Sequence, residues 1–199
     1  MNIIWHGHSC FEITGKDGTI VFDPYQANSV PGLNSLKLKA NLVLCSHEHD
    51  DHNARNCVEV APKDFKVTCI ETYHDHHQGS HRGKNTIYIV DFEDLKVVHM
   101  GDIGCMMDDV SKLKNCDVLM IPIGGYYTID TKEALKYIER IQPRIVIPMH
   151  YCSHEFGYDV LSTNEGFIQK SSNIVYVDDY LEVHKETKGQ TIVFKKPRN

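Results

Sequence analysis

The run His47-Glu48-His49-Asp50-Asp51-His52 puts five potential metal ligands besides Glu48 into six residues. Imidazole and carboxylate without thiolate suit zinc, manganese or iron. In an extended segment His47 and His49, two apart, project to the same side, and a tight turn through Asp50 brings Asp51 and His52 to a second position. A solvated polar loop would explain any one of these side chains. It does not explain five donors placed directly after the apolar run Leu42-Val43-Leu44-Cys45.

That apolar run reads as a strand covered on both faces, and two others end in the same manner. Residues 95–100 run into Gly101-Asp102, and 144–149 run into His150. Strand ends that feed loops are where a rigid sheet aims side chains at a ligand. The remaining pattern supplies the scaffold. A hairpin over 9–14 and 19–22 turns at Lys16-Asp17-Gly18, and 28–39 lacks periodicity and reads as a loop. A short helix is predicted over 53–60, a strand over 66–70 and a His-rich loop over 72–85. A second hairpin follows over 86–90 and 95–99, then a helix over 108–115 and a buried strand over 118–123. The strongest helical pattern covers 131–141 with Thr131 as N-cap, and a strand over 144–148 follows it. Strands are predicted over 174–177, 181–183 and 191–194, the last two turning near Lys188-Gly189. Strands outnumber helices and nothing marks a linker, so residues 1–199 read as one layered α/β domain with more than one sheet.

Composition limits the function classes. With 199 residues, 41% hydrophobic and 24% charged, the chain is globular rather than disordered or fibrous. Its net charge of −6 gives no field to attract a phosphate backbone, so no nucleic-acid partner is expected. The opening MNIIWHGHSCFE is not a basic-then-apolar leader, and no apolar run approaches the ~18 residues of a bilayer crossing. Seven cysteines without a C-x-x-C pair fit free thiols in a reducing compartment. A cytoplasmic protein is expected; a homo-oligomer stays open.

Taken together, HEHDDH, a histidine in 72–85, Gly101-Asp102 and Pro148-Met149-His150-Tyr151 resemble the metallo-β-lactamase fold superfamily of metal-dependent hydrolases. The segments GHSCFEI (7–13), FDPY (22–25), HMGDIG (99–104) and IPIGGYYTI (121–129) are similar to its small branch that includes the L-ascorbate 6-phosphate lactonases. The resemblance implies a four-layer αβ/βα sandwich with two metals at one edge between the sheets. It implies His47 and His49 as ligands of a first metal, Asp51 and His52 of a second, Asp102 as the bridging carboxylate and His150 as the last ligand of the second. Residue type alone leaves His74, His76, His77 and His81 open as the remaining first-metal ligand. The family pattern of His-Asp, Gly, then Arg-Gly-x-Asn selects His74, with Asp75, Gly79, Arg82, Gly83 and Asn85 filling the rest.

Seven N/O donors exceed what one tetrahedral ion uses, and two ions ~3.5–4 Å apart can share a water and lower its pKa from 15.7 toward ~7. Two divalent ions, zinc or manganese with iron as an alternative, are therefore expected, acting on a small anionic ester, lactone or phosphoester. Asp51 is placed to handle the proton as well as bind metal. Arg82 and Lys84 are candidates to grip a phosphate or carboxylate, and Tyr126, Tyr127 and Tyr151 to line a pocket, with Tyr126 favoured. His8 in Gly-His-Ser is compatible with a hydrogen bond near the metals or with no site role. His6, His99, His154 and His184 are assigned none. The competing readings are a phosphodiesterase or nuclease of the same superfamily, disfavoured by charge and by the lack of room for an inserted arm, and a non-catalytic metal-binding protein.

Overall fold

The computed structural model describes residues 1–198. Its first strands are β1 Asn2–Gly7, β2 Cys10–Gly15 and β3 Gly18–Phe22, an antiparallel meander. Sequence reading misses β1 because Ile3, Ile4 and Trp5 are all buried, so the strand shows no alternation. Next come β4 Leu38–Ala40, β5 Leu42–Leu44, β6 Val58–Val60, β7 Lys66–Tyr73, β8 Lys84–Phe92, β9 Leu95–His99 and β10 Val118–Pro122. Helix α1 Thr131–Ile141, β11 Ile145–Met149, the single-turn α2 Glu165–Ile168, β12 Ile174–Val177, β13 Tyr180–Glu182 and β14 Gln190–Phe194 complete the chain.

These strands form a five-stranded sheet ordered β13-β1-β2-β3-β5 and a seven-stranded sheet ordered β12-β14-β11-β10-β9-β8-β7, with β4 and β6 paired separately. The two large sheets face each other across one shared apolar core. Phe22 of β3 stacks on His99 of β9 with ring centroids 5.0 Å apart, and Trp5 of β1 reaches Phe194 of β14 at 5.9 Å. Each such side chain contributes about 1.5–3 kcal/mol when fully buried. That packing fixes one sheet against the other, which any site built between them requires.

The two facing sheets agree with the sandwich that the resemblance implies, with little helix. Among the described residues both α-helices lie in connections between strands of the seven-stranded sheet, and none is long and apolar enough to cross a membrane. In the crossover from β10 to the parallel β11, α1 buries Ala134, Tyr137 and Ile141. Its N-cap is Asp130 rather than Thr131: the Asp130 carboxylate accepts from Glu133 N at 2.9 Å, and the Glu133 carboxylate accepts from Asp130 N at 3.1 Å.

Other expectations change. The helix predicted over 53–60 is a 3₁₀ turn at Arg55–Cys57 leading into β6, because Ala54 supplies no side-chain cap and Val58 and Val60 favour the pairing with β4. Over 108–115 only the 3₁₀ turn Ser111–Leu113 forms. The apolar run at β5 is an edge strand, only half-buried, not covered on both faces. The last two strands do not form a hairpin, since β13 joins β1 in one sheet and β14 joins β11 and β12 in the other. The loop predicted over 72–85 shrinks to 74–83, because β7 and β8 pair out to Tyr73 and Lys84.

Candidate metal centre

Strand direction explains why these residues meet. In the five-stranded sheet β1, β3 and β5 run the same way, as do β7, β9 and β11 in the seven-stranded sheet. Their six C-terminal ends release His8, Asp23 and the run His47 to His52 from one sheet, and His74, Asp102 and His150 from the other.

Asp102 is the meeting point. Its Oδ2 lies 3.0 Å from His150 Nε2, 3.1 Å from His52 Nε2, 3.3 Å from His74 Nε2 and 3.9 Å from His47 Nε2. His47, His49 and His74 offer donor atoms within 4.8 Å of one another, and Asp51, His52 and His150 do so on the other side. The structure thus brings all seven residues named by the resemblance to one place. His76, His77 and His81 stay exposed on the 74–83 loop, and His76 bonds Glu133 at 2.8 Å.

Three of the other ring nitrogens are held, while His150 Nδ1 is buried without a partner. His52 Nδ1 donates to Asp23 Oδ2 at 2.9 Å, His74 Nδ1 donates to the Tyr127 carbonyl at 3.0 Å, and His47 Nδ1 bonds Ser46 Oγ at 2.9 Å. Ser46 in turn donates its backbone N–H and its hydroxyl to the two oxygens of Asp23 at 2.6 and 2.7 Å. For these three rings such partners aim Nε2 inward. The Nε2 atoms of His47, His52 and His150 are buried with no hydrogen-bond partner, although a carboxylate oxygen is close by. Buried polar atoms are rarely left so. Imidazole nitrogens that converge beside a carboxylate without hydrogen-bonding it fit a cation, and the all-N/O donor set fits zinc, manganese or iron.

Electrostatics agrees with that reading. Burial and the neighbouring His52 push the His47 imidazole down to about 3, leaving it neutral and able to coordinate. Burial opposes ionisation of Asp102, but His150 and His52 outweigh it and hold the carboxyl well below its usual range. His52 goes the other way: against burial, Asp102, Asp51 and Asp23 raise it.

The loop carrying His74 is wound around Asp75. Its carboxylate accepts the backbone N–H groups of His77, Gly79, His81 and Arg82 at 2.7, 2.9, 3.1 and 2.8 Å. Although burial opposes it, these amides hold the Asp75 carboxyl down to about 2. Asn85 supports the opposite ligand, accepting Asp102 N at 2.8 Å and donating to Thr72 Oγ1 and the Met100 carbonyl.

A beta-lactamase superfamily domain model matches residues 2–150, the whole stretch that holds these donors. The chain belongs to the metallo-beta-lactamase superfamily. Within that superfamily it is similar to a UPF0173 metal-dependent hydrolase of Staphylothermus marinus, 31% identical over 192 residues, covering 73% of this chain and 81% of the relative. One from Thermoplasma acidophilum is 29% identical over 189 residues, covering 76% and 83%. The crystal structure of a Thermotoga maritima superfamily protein, assigned as a Zn-dependent hydrolase, superposes with a TM-score of 0.78 at 26% identity and covers 97% of both chains. The chain is accordingly a metal-dependent hydrolase.

In this superfamily member the donors open onto a cavity of about 210 Å³ lined by His49, Asp51, His74, Arg82, Asp102, Tyr127, His150 and Tyr158. Arg82 lies over the Tyr127 ring at 5.1 Å and makes no ion pair among the described residues. Lys84 instead pairs with Glu71 at 3.2 Å. Tyr126 is 66% exposed and does not line this cavity, while Tyr151 is buried against Trp5. Tyr158 is the lining residue that sequence reading misses. Its hydroxyl sits 3.3 Å from Asp51 Oδ2 and 2.6 Å from the Ser29 carbonyl, from an irregular segment with no motif to mark it.

Proposed function

We propose that the chain hydrolyses small anionic esters, lactones or phosphoesters with two divalent ions, zinc or manganese, held at this centre. The observation that carries the reading is Asp102 Oδ2 facing four imidazole Nε2 atoms from both sheets at 3.0–3.9 Å. His47, His49 and His74 with Asp102 would hold one ion, and Asp51, His52 and His150 with Asp102 the other. Bound there, the pair supplies Lewis acidity and a water acidic enough to attack near neutral pH.

The chain's own residues bind, orient and move the proton. None of the cavity's lining residues is Ser or Cys, which favours water over a side chain as nucleophile. Asp51 lies in the cavity wall with the Tyr158 hydroxyl 3.3 Å from Oδ2, placed to accept a proton and return it to the leaving group. Arg82, steadied on Tyr127, is the cavity's one permanently charged cation and would grip an anionic group away from the reacting bond. A volume of about 210 Å³ is below the ~300–1,000 Å³ of most ligand sites, so the reactive end of a small molecule enters it. A neighbouring cleft of about 530 Å³ shares His49 and Arg82 and gives room for the rest, while Tyr126, at 6.0 Å from Arg82, contacts substrate only at the rim.

The test is metal analysis of the purified protein together with a panel of lactones, phosphodiesters and phospholipids. Two ions per chain and turnover of phosphorylated lactones or esters is the expected result. Turnover of phosphodiesters alone would reassign the chain to phosphodiesterase chemistry, and no more than trace metal would overturn the reading.

A further inference from the structure

Three histidines outside the seven donors are buried, and two of them are satisfied. His6 bonds Glu12 at 3.2 Å; His99 bonds the Ser9 carbonyl through Nε2 at 2.9 Å and accepts Gly101 N at Nδ1. The third, His8, is 1% exposed and has a partner at neither ring nitrogen among the described residues. Among the described residues every other orphaned buried side-chain atom belongs to His47, His52 or His150. His8 therefore shares the condition of the candidate ligands, not that of the structural histidines.

Position says the same. His8 Nε2 is 3.3 Å from Asp51 Oδ2, yet the pair lacks hydrogen-bond geometry, as His52 and His150 lack it toward Asp102. His8, Asp51, His52 and His150 each offer a donor atom, all within 4.8 Å of one another, and the His8 and His150 rings are 4.1 Å apart. The backbone is held to aim it. His8 and His150 both take φ of +53°, a left-handed conformation uncommon for residues other than glycine. The His8 carbonyl accepts the Trp5 indole N–H at 3.2 Å and His150 N at 3.4 Å, tying the β1–β2 turn to the loop after β11.

We propose that His8 is an eighth protein donor of the centre, joining Asp51, His52, His150 and Asp102 through Nε2; this rests on the metal reading above. The two positions then differ. The first has three imidazoles and the shared carboxylate, while the second has three imidazoles, Asp51 and the shared carboxylate. Five protein donors exceed the four of a tetrahedral zinc site and suit manganese or iron at the second position.

The experiment is Co²⁺ titration of the metal-stripped full chain, wild type against His8→Gln and His8→Ala, with visible absorption and NMR of histidine-labelled protein. In wild type, six imidazole spin systems should be contact-shifted, that is shifted through a bond to the metal; both variants should show five. The variants should bind the second ion more weakly by at least about 100-fold, beyond the ~10–100-fold of a lost outer-shell partner. Their absorption band should strengthen as the coordination number falls. Two ions bound with five contact-shifted imidazoles already in wild type would overturn the proposal while leaving the metal reading intact. That wild-type count decides the matter even where a variant fails to fold. No Co²⁺ uptake by wild type would overturn the metal reading and this proposal with it.

Discussion

The two sheet edges that meet at the centre carry the same series of residues and use it differently. After β1, β3 and β5 come His8, Asp23 and His47; after β7, β9 and β11 come His74, Asp102 and His150. In both sheets the aspartate leaves the strand that lies between the other two. Asp102 reaches the centre and faces four imidazoles. Asp23 stops one layer back, because the segment leaving β5 folds in front of it and occupies its carboxylate with Ser46 and His52. A strand end fixes where a side chain starts, and the neighbouring loop decides whether it meets the ligand or the ligand's holder.

The largest expected effect breaks that contrast. Asp102→Ala should abolish turnover, by about 10³-fold or more, and reduce metal content by at least one ion, whereas Asp23→Asn should keep two ions per chain at about 10–100-fold weaker affinity. Equal metal loss in both variants would show that the two aspartates are equivalent. His74→Ala should likewise cost an ion, while His81→Ala, which keeps the backbone N–H that Asp75 accepts and removes only an exposed ring, should leave metal content and activity unchanged. Metal analysis alongside kinetics separates these cases.

Arg82→Ala sharpens the role of the seven-stranded edge. It should raise KM for a phosphorylated substrate about 10–100-fold, the worth of a charge-assisted hydrogen bond, and barely alter KM for the unphosphorylated counterpart. An equal rise for both would make Arg82 a loop support only.

The smallest effect is a pH slope. His52 is raised by Asp102, Asp51 and Asp23, so it carries a proton that ligation must expel, whereas His47, pushed down to about 3, is already neutral. Metal affinity should therefore rise between pH 5 and 7, by about tenfold per unit for each ligand proton released. Affinity that is flat across that range would place the proton elsewhere.

Much of this was legible in the sequence. The convergent donors sit on short motifs directly after apolar runs, so type and spacing carry the information. Asp23 and His8 show it less: Asp23 enters only inside the FDPY segment, and His8 reads equally as a hydrogen bond near the metals or as no site role; where each one sits depends on strand direction, which only the pairing reveals. Tyr158 approaches Asp51 across 107 residues of sequence with no local pattern. The helix expected over 53–60 fails for the reverse reason, since local helical spacing yields there to the pairing of β6 with β4.

The winding of the 74–83 loop around Asp75 makes it an interchangeable part. Its shape comes from one carboxylate and four backbone amides, so the side chains at His76, His77, Ser80 and His81 contribute little to where His74 and Arg82 sit. Gly79 is the exception, at φ +78° with the Gly83 carbonyl oxygen only 2.7 Å from where a Cβ would stand. A library that holds Asp75, Gly79, Arg82 and Gly83 and randomises those four exposed positions would vary a neighbouring surface pocket, lined by His76, His77 and His81 and sharing Arg82 and Tyr127 with the cavity, on a fixed metal centre. The sequence of one short loop can thus change without touching the sheets that carry the donors.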